Sequence, residues 1–315
     1  AYEYACLLSL QDYLSGKTAG TVHIEISDAY HTACAAFAKA QQEGVSGNLI
    51  MAANAAVRVI TRLEPQLQFG NGALSLCIQT DAQGIAGDVR DVVCVRAANG
   101  WQIGISCKHN HHAVKHSRLS ATIDFGQEWL GIPCSKEYFD TVVPIFNELR
   151  AMRTRAVNEH RPLPLWSDIP DKSDRYYMPI LNAFLQEMHR LAESDPTVPG
   201  KLIGYMLGKY DFYKVITDDN KRTTRIEAIN LAGSLNKPAN GHRSIVDVAK
   251  LRLPTRFYHM GIVPHSDNKV EIVCDEGWTL SMRIHNASSK VEPSLKFDVQ
   301  LISLPANVHA QVEPW

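Results

Sequence analysis

The chain has no excess of either charge: 32 Lys and Arg against 33 Asp and Glu leave a formal net charge of −1 over 315 residues. A protein that coats nucleic acid by bulk electrostatics carries a large basic surplus. Any nucleic-acid surface here must therefore be a local basic face, offset by acid elsewhere. Paired cysteines are missing too. The seven cysteines, Cys6, Cys34, Cys77, Cys94, Cys107, Cys134 and Cys274, include no C-x-x-C pair. That excludes a zinc ribbon, and the odd number argues against a disulfide framework; reduced thiols in a cytoplasm are expected. No apolar stretch reaches the ~18 residues of a membrane span. The opening Ala1-Tyr2-Glu3-Tyr4 has no basic segment, and Asp12 soon interrupts the apolar run, so it does not read as a signal peptide. Internal repeats and low-complexity tracts are absent as well.

What is present is ordinary for a globular protein: 45% hydrophobic and 21% charged residues. A chain of this length buries about three-quarters of its unfolded surface and needs no staple to fold. At about 150 residues per domain it holds roughly two domains, or one large one. Residues 28–43 are Ala-rich and helical in pattern, and Ser46 to Leu63 carries Leu49, Ile50, Ala53, Ala56, Val57 and Ile60 at helical spacing before Pro65 stops it. A strand is expected at 74–80 and a Gly-containing loop at 81–87, with helices at 135–158 and 176–193. Strands dominate from about 211, including 279–285 and 296–304. Pro162, Pro164 and Pro170 mark the best candidate boundary. The pattern predicts an α/β fold, a mixed central sheet flanked by helices with a β-rich C-terminal half. Residues 1–165 would form a core and 166–315 a helical insertion and β-rich region packed on it, or the whole one continuous domain.

The clearest local signal is a hairpin. Residues 91–98 are rich in β-branched side chains, and Trp101 to Lys108 alternates Trp, Ile, Ile, Cys with Gln, Gly, Ser, Lys. Asn99-Gly100 between them suits a two-residue turn. That turn predicts Ala98 opposite Trp101, Val95 opposite Gly104, Val93 opposite Ser106 and Asp91 opposite Lys108. Alternation places Trp101, Ile103, Ile105, Cys107, Val92 and Cys94 on the other face, as core. The polar face thus joins Asp91 to Lys108, and Asp88 brings a second carboxylate to the same corner. Hard Mg2+ is held by carboxylate oxygens and keeps several waters. It activates a bound water and neutralises phosphate charge, while a nearby ammonium stabilises the transition state. An Asp facing a Lys is also an ordinary cross-strand ion pair, worth roughly 0.2–1 kcal/mol.

The string Lys108-His109-Asn110-His111-His112-Ala113-Val114-Lys115-His116-Ser117-Arg118 predicts a helix capped by Asn110 and running to about Ser120. The free N–H groups of such a start favour phosphate, and Asn110, His111, Lys115 and Arg118 could meet a DNA backbone there. The plainer alternative is a solvated basic face. A zinc site from the four histidines lacks a Cys or acidic partner at ligand spacing. The adjacent His-Asn-His is not the HNH nuclease motif, which distributes its residues over a hairpin and a helix.

An Asp, a hairpin, and a Lys at the next strand's end resemble the PD-(D/E)xK nuclease core. More narrowly, the runs Gly87-Asp88-Val89-Arg90-Asp91, Ser106-Cys107-Lys108-His109-Asn110-His111, Lys115-His116-Ser117-Arg118-Leu119-Ser120 and Arg283-Ile284-His285-Asn286-Ala287-Ser288-Ser289-Lys290-Val291-Glu292-Pro293-Ser294-Leu295-Lys296-Phe297-Asp298 are similar to the HaeIII-type restriction endonucleases. The resemblance implies a bacterial, cytoplasmic type II restriction enzyme, monomer or homodimer. It would cleave double-stranded DNA with Mg2+ as cofactor, within GGCC, and work alongside a cognate DNA methyltransferase. Asp91 and Asp88 would hold the metal, and Lys108 would assist the attack.

One departure stands out. The core pattern has Glu or Asp two residues before the lysine, and here that catalytic position is Ser106, whose hydroxyl cannot replace the charge. The missing metal ligand is expected from Asp124 or Glu128, beyond the helix that should follow Lys108, with Glu64 a third candidate; each also reads as plain surface charge. Guanine is best read by Arg or Lys bidentate to O6 and N7. Arg283 and His285 point outward on an alternating strand, Lys290 and Lys296 follow, and Arg222, Arg225 and Arg243 lie in polar segments. Any one of these also reads as a phosphate contact, because most protein–DNA hydrogen bonds go to the backbone. Two rival classes stay open: a non-catalytic DNA-binding protein with a degenerate nuclease core, which Ser106 favours, and a zinc or small-molecule hydrolase using the histidines.

Overall fold

A computed structural model describes residues 1–18, 20–80, 87–110 and 113–315; His111 and most of the expected 81–87 loop lie outside the described residues. Helices α1 (Tyr2–Leu14), α2 (Asp28–Gln42), α3 (Ser46–Leu63) and α4 (Pro65–Phe69) alternate with β1 (Val22–Ile24) and β2 (Leu74–Ile78). Then come β3 (Val92–Arg96), β4 (Trp101–His109) and β5 (Ala113–Ser120), followed by α5 (Lys136–Asn158), α6 (Met178–Ser194) and α7 (Val198–Leu207). The remaining strands are β6 (Phe212–Asp218), β7 (Thr223–Ile229), β8 (Phe257–Ile262), β9 (Lys269–Cys274), β10 (Thr279–His285), β11 (Ser294–Ser303) and β12 (Ala310–Pro314). The fold is mixed α/β with a β-rich C-terminal half, as the sequence predicts. Two compact units interleave along the chain: Ala1–His112, Gly208–Arg252 and Ala306–Trp315 form one, Ala113–Leu207 and Leu253–Pro305 the other. The chain thus passes between units four times, whereas the prolines predict a single division at residue 165.

The first unit is built on a seven-stranded mixed sheet, ordered β1-β2-β3-β4-β6-β7-β12. The β1–β2 and β4–β6 pairs are parallel and the others antiparallel. Apolar residues on alternate positions, among them Leu76, Cys94, Ile103, Ile105, Tyr213 and Ile226, join α1 and α3 in one core. Helix α3 offers a run of small buried residues, Ala52, Ala53, Ala55 and Ala56, which lets backbones approach closely at little side-chain entropy cost.

The hairpin keeps its faces but not its turn. Strand β3 ends at Arg96, a 3-10 turn covers Ala97–Asn99, Gly100 takes a left-handed φ of 67°, and Arg96 pairs with Trp101. The predicted register is therefore off by two residues, so Val93 faces Gly104 and Val95 faces Gln102. Two physical causes are visible. The Asn99 side chain accepts from Trp101 N at 3.1 Å, and Arg96 is fully buried at the strand end, donating to Gln66 O, Gly72 O, Leu67 O and Thr18 Oγ1. A slip of two preserves parity, so Val92, Cys94, Trp101, Ile103, Ile105 and Cys107 still fill the core.

The second unit carries a five-stranded sheet ordered β5-β11-β10-β9-β8, antiparallel throughout. Here the helix expected from Asn110 to Ser120 is absent: Ala113–Ser120 is strand β5, paired with β11. Asn110 itself has φ 57°, outside the extended conformation of an N-cap. The stretch alternates exposed His116 and Arg118 with buried Ser117 and Leu119, a period of two that a helix cannot satisfy.

Candidate active site

Strand β4 runs on beyond the end of β3, and Asp91 sits where the next ladder partner would stand. Its N–H donates to Ile105 O at 2.8 Å and its C=O accepts from Gln79 N at 3.0 Å, so its backbone is held from both sides. Its carboxylate then takes the following ladder position: Oδ2 accepts from Cys107 N at 2.6 Å, from Ser106 Oγ at 3.3 Å and from Lys108 Nζ at 3.3 Å. Asp91, Ser106 and Lys108 are therefore brought together. Burial pushes the Asp91 pKa above its ordinary value, opposed by the Lys108 charge and the Cys107 N–H, and the charge of Glu3 adds to the rise.

A cavity of about 390 Å³ opens here, lined by Asp91 with Gln79 and Thr80, and by Glu3 from α1 and Asp28 and Thr32 from α2. Burial would raise the Glu3 pKa, but it is held below its ordinary value, chiefly by the Ala1 ammonium, which donates to Oε2 at 2.9 Å, and to a smaller extent by the Lys108 charge. Three carboxylates thus line one cavity, with the Lys108 charge acting on Asp91 and Glu3 and the Ala1 ammonium paired with Glu3. Among the described residues, no three acidic, His or Cys side chains are gathered tightly enough to chelate a metal ion. The donor set suits a hard cation all the same, because Mg2+ is usually held by one or two carboxylates plus waters and substrate phosphates rather than by a closed protein cage.

The other sequence candidates fall elsewhere. Both oxygens of Asp88 are engaged: Oδ1 accepts from Arg90 N and Nε, Oδ2 from Arg90 Nη2 and Gln79 Nε2. Arg90 lies across Gly104, where an added Cβ would stand 2.0 Å from its Cδ, so the glycine makes room for this brace. Glu64 is fully buried and accepts from Tyr213 OH and Asn236 N, both at 2.7 Å; burial pushes its pKa up to about 7. Asp124 and Glu128 belong to the second unit, where Asp124 Oδ1 caps Gln127 N and Cys134 N at 2.9 Å and Glu128 is exposed. None of the three meets Asp91 through a hydrogen bond. Glu3 was missed because nothing local marks it; it reaches the site only through the packing of α1 on the sheet. His109 Nε2 lies 2.7 Å from Asp219 Oδ2, and Asn110 binds the same oxygen at 3.0 Å.

In the second unit, Lys115 is not solvent-facing. Its Nζ donates to Tyr205 O at 2.9 Å and sits 3.4 Å from the centroid of that ring, and burial pulls its pKa down to about 8. Arg118, His116, Arg283, His285 and Lys296 share the outer face of the sheet, and the exposed Lys290 bridges to Leu165 beside it. In the first unit, Arg222 holds Trp315 O at 3.2 Å, Arg225 holds Glu227 at 2.6 Å, and Arg243 is exposed.

A carboxylate and an ammonium joined on an antiparallel strand pair, beside an acid-lined cavity, suit phosphodiester hydrolysis. Comparison with known proteins identifies the class: the chain belongs to the HaeIII restriction endonuclease family, whose model matches residues 1–305. It is 42% identical over 262 residues to the type II restriction enzyme HaeIII of Haemophilus aegyptius, covering 83% of this chain and 80% of that protein. No solved structure matches the chain significantly. The chain is a type II site-specific deoxyribonuclease with double-stranded DNA as its substrate. Among the described residues no helix is long and apolar enough to cross a membrane.

Proposed function

We propose that the chain hydrolyses double-stranded DNA within GGCC, using Mg2+ held by Asp91 and Glu3, with Lys108 as the catalytic cation. The observation that carries this reading is the Lys108 Nζ–Asp91 Oδ2 contact at 3.3 Å, with Glu3 across the same cavity. When bound, the metal would activate a water and offset charge on the scissile phosphate. The protein's own part is positioning. The Cys107 N–H and Ser106 hydroxyl fix Oδ2 of Asp91, which leaves Oδ1 for the cation. Lys108, only 15% exposed, meets negative charge as it develops on the phosphate, in a setting where water screens poorly. Glu3 supplies the acid that Ser106 lacks, from a helix rather than from the strand. Asp88 acts as a brace for Arg90 and the β3 entry. A bacterial cell that makes an enzyme cutting GGCC needs its own sites protected, which is the place of a cognate methyltransferase.

Digestion of a sequenced plasmid with and without Mg2+, followed by mapping of the fragment ends, tests this. Discrete ends inside GGCC that vanish with chelator and return with Mg2+ are expected. Ends at another sequence, or cutting that persists under chelation, would overturn the site or the metal assignment respectively.

A further inference from the structure

The outer face of the five-stranded sheet gathers basic side chains from four strands. Its inner face is apolar and buried, through Leu119, Leu280, Met282, Ile284, Leu295 and Phe297. Outward, Asp298 stands among four basic side chains, with Glu271 on the same face and Glu292 paired to Arg118 at 2.8 Å. Asp298 accepts from His116 Nδ1 at 2.6 Å and from Arg283 Nη2 at 3.0 Å, with His285 Nε2 at 2.9 Å and Lys296 Nζ at 3.8 Å. Burial would raise the Asp298 pKa, but the Arg283 bond and the two histidines hold it at about 2, so it stays ionised. A lone exposed ion pair would leave no surplus charge. Here the permanent cations Arg283 and Lys296, with two imidazoles, stand against the two oxygens of Asp298, and the cluster keeps donors for an anion or an acceptor.

Arg283 is the group best placed to use it. Its side chain is 49% exposed, and among the described residues one hydrogen bond, to Asp298, fixes the guanidinium and leaves its other donors available. The planar fork matches guanine O6 and N7 bidentately, and a pre-oriented fork loses less freedom on binding. The surroundings also have the right span. Arg118 on β5 and Lys269 on β9 lie three strand steps apart and two residues out of line, about 16 Å at the usual strand spacings. That is comparable with the ~12 Å width of the major groove, so the two can meet phosphates on its opposite walls with Arg283 over the bases.

We propose that this outer sheet face seats the DNA duplex, with Arg283 reading a guanine and Asp298 as the positioning residue that aims it. The inference rests on the reading of the chain as a GGCC enzyme only for the identity of the base, and binding can be measured apart from cleavage. Plasmid digestion with end mapping judges that reading; binding to the mapped duplex judges this one. Without divalent metal, binding is measured to a duplex with the mapped site, to one without it, and to copies with 7-deazaguanine in place of each guanine in turn. Wild type should lose affinity when one particular guanine lacks N7. Arg283→Gln should lower the specific-to-nonspecific ratio about 5- to 150-fold, the span of one bidentate contact, and become indifferent to that 7-deazaguanine. Asp298→Asn should lower the ratio in the same direction but add nothing in the Arg283→Gln background. Arg118→Gln should weaken both duplexes alike. An equal loss on both duplexes for Arg283→Gln, or an unchanged 7-deazaguanine response, would make Arg283 a phosphate contact or a fold residue and overturn the proposal. An unchanged ratio in Asp298→Asn would remove Asp298 from it.

Discussion

Each unit gathers charge of opposite sign at one place on its sheet, although the formal charges of the two units are both close to zero. In the first, three carboxylates, Asp91, Glu3 and Asp28, line one cavity, where Lys108 acts on Asp91 and Glu3 and the Ala1 ammonium pairs with Glu3. In the second, four basic side chains crowd the carboxylate of Asp298. A surplus of acid calls for a cation and a surplus of base for an anion, so the same kind of ion pair serves opposite ends.

Asp91→Asn removes the centre of the acidic surplus, and its effect should be the largest. Cleavage under saturating Mg2+ should fall on the order of 10²-fold or more, measured by single-turnover assay, with affinity for DNA in the absence of metal close to wild type. A comparable loss in metal-free binding would move Asp91 from the chemistry to the scaffold.

Asp88→Asn sharpens the contrast between metal ligand and brace. It leaves the buried Arg90 guanidinium without its counter-charge, at a cost of about 3 kcal/mol in stability. Thermal or denaturant unfolding should show the loss, while the Mg2+ dependence of residual cleavage stays in place. A shifted Mg2+ midpoint with unchanged stability would restore Asp88 as a ligand.

Glu3→Gln should raise the Mg2+ concentration for half-maximal cleavage about tenfold, since a neutral amide is a poorer donor to a hard cation, and should weaken metal binding followed by calorimetry. Asp124→Asn and Glu128→Gln should leave that midpoint where it is. A shift in either of the latter, with none in Glu3→Gln, would put the third acid in the other unit.

The smallest effect concerns pH. The folded Glu64 pKa of about 7 lies above the unfolded value of about 4.3, so the folded state binds the proton more tightly. The stability this contributes is fully present below pH ~4 and is lost as pH rises through 7. Glu64→Gln should flatten the decline in stability between about pH 5 and 8. An identical slope in variant and wild type would show that Glu64 titrates normally in the fold.

The legible parts of the sequence were those with a local period. Helix α3 follows from its apolar spacing and Pro65, and the Asp91–Lys108 meeting follows from strand alternation, which survived a register error of two because parity was kept. What failed was non-local. The Asn110–Ser120 stretch has a capping residue and basic residues at helical spacing, yet β11 pairs with it and imposes the strand. The Asn99-Gly100 turn was overridden by the hydrogen bonds that pin Arg96 at the strand end. Asp88 reads as a ligand in the sequence, and its bonds to Arg90 and Gln79 show only in the fold; Glu3 has no sequence mark because its place depends on where α1 packs.

The most direct test of the acidic site is Lys108→Ala, compared with wild type in single-turnover cleavage and in metal-free binding to the same duplex. Cleavage reduced on the order of 10²-fold or more, with binding nearly unchanged, is the predicted result. Near-wild-type turnover by a folded Lys108→Ala protein would contradict the account, because the contact from Lys108 Nζ to Asp91 Oδ2 would then be an ordinary cross-strand ion pair.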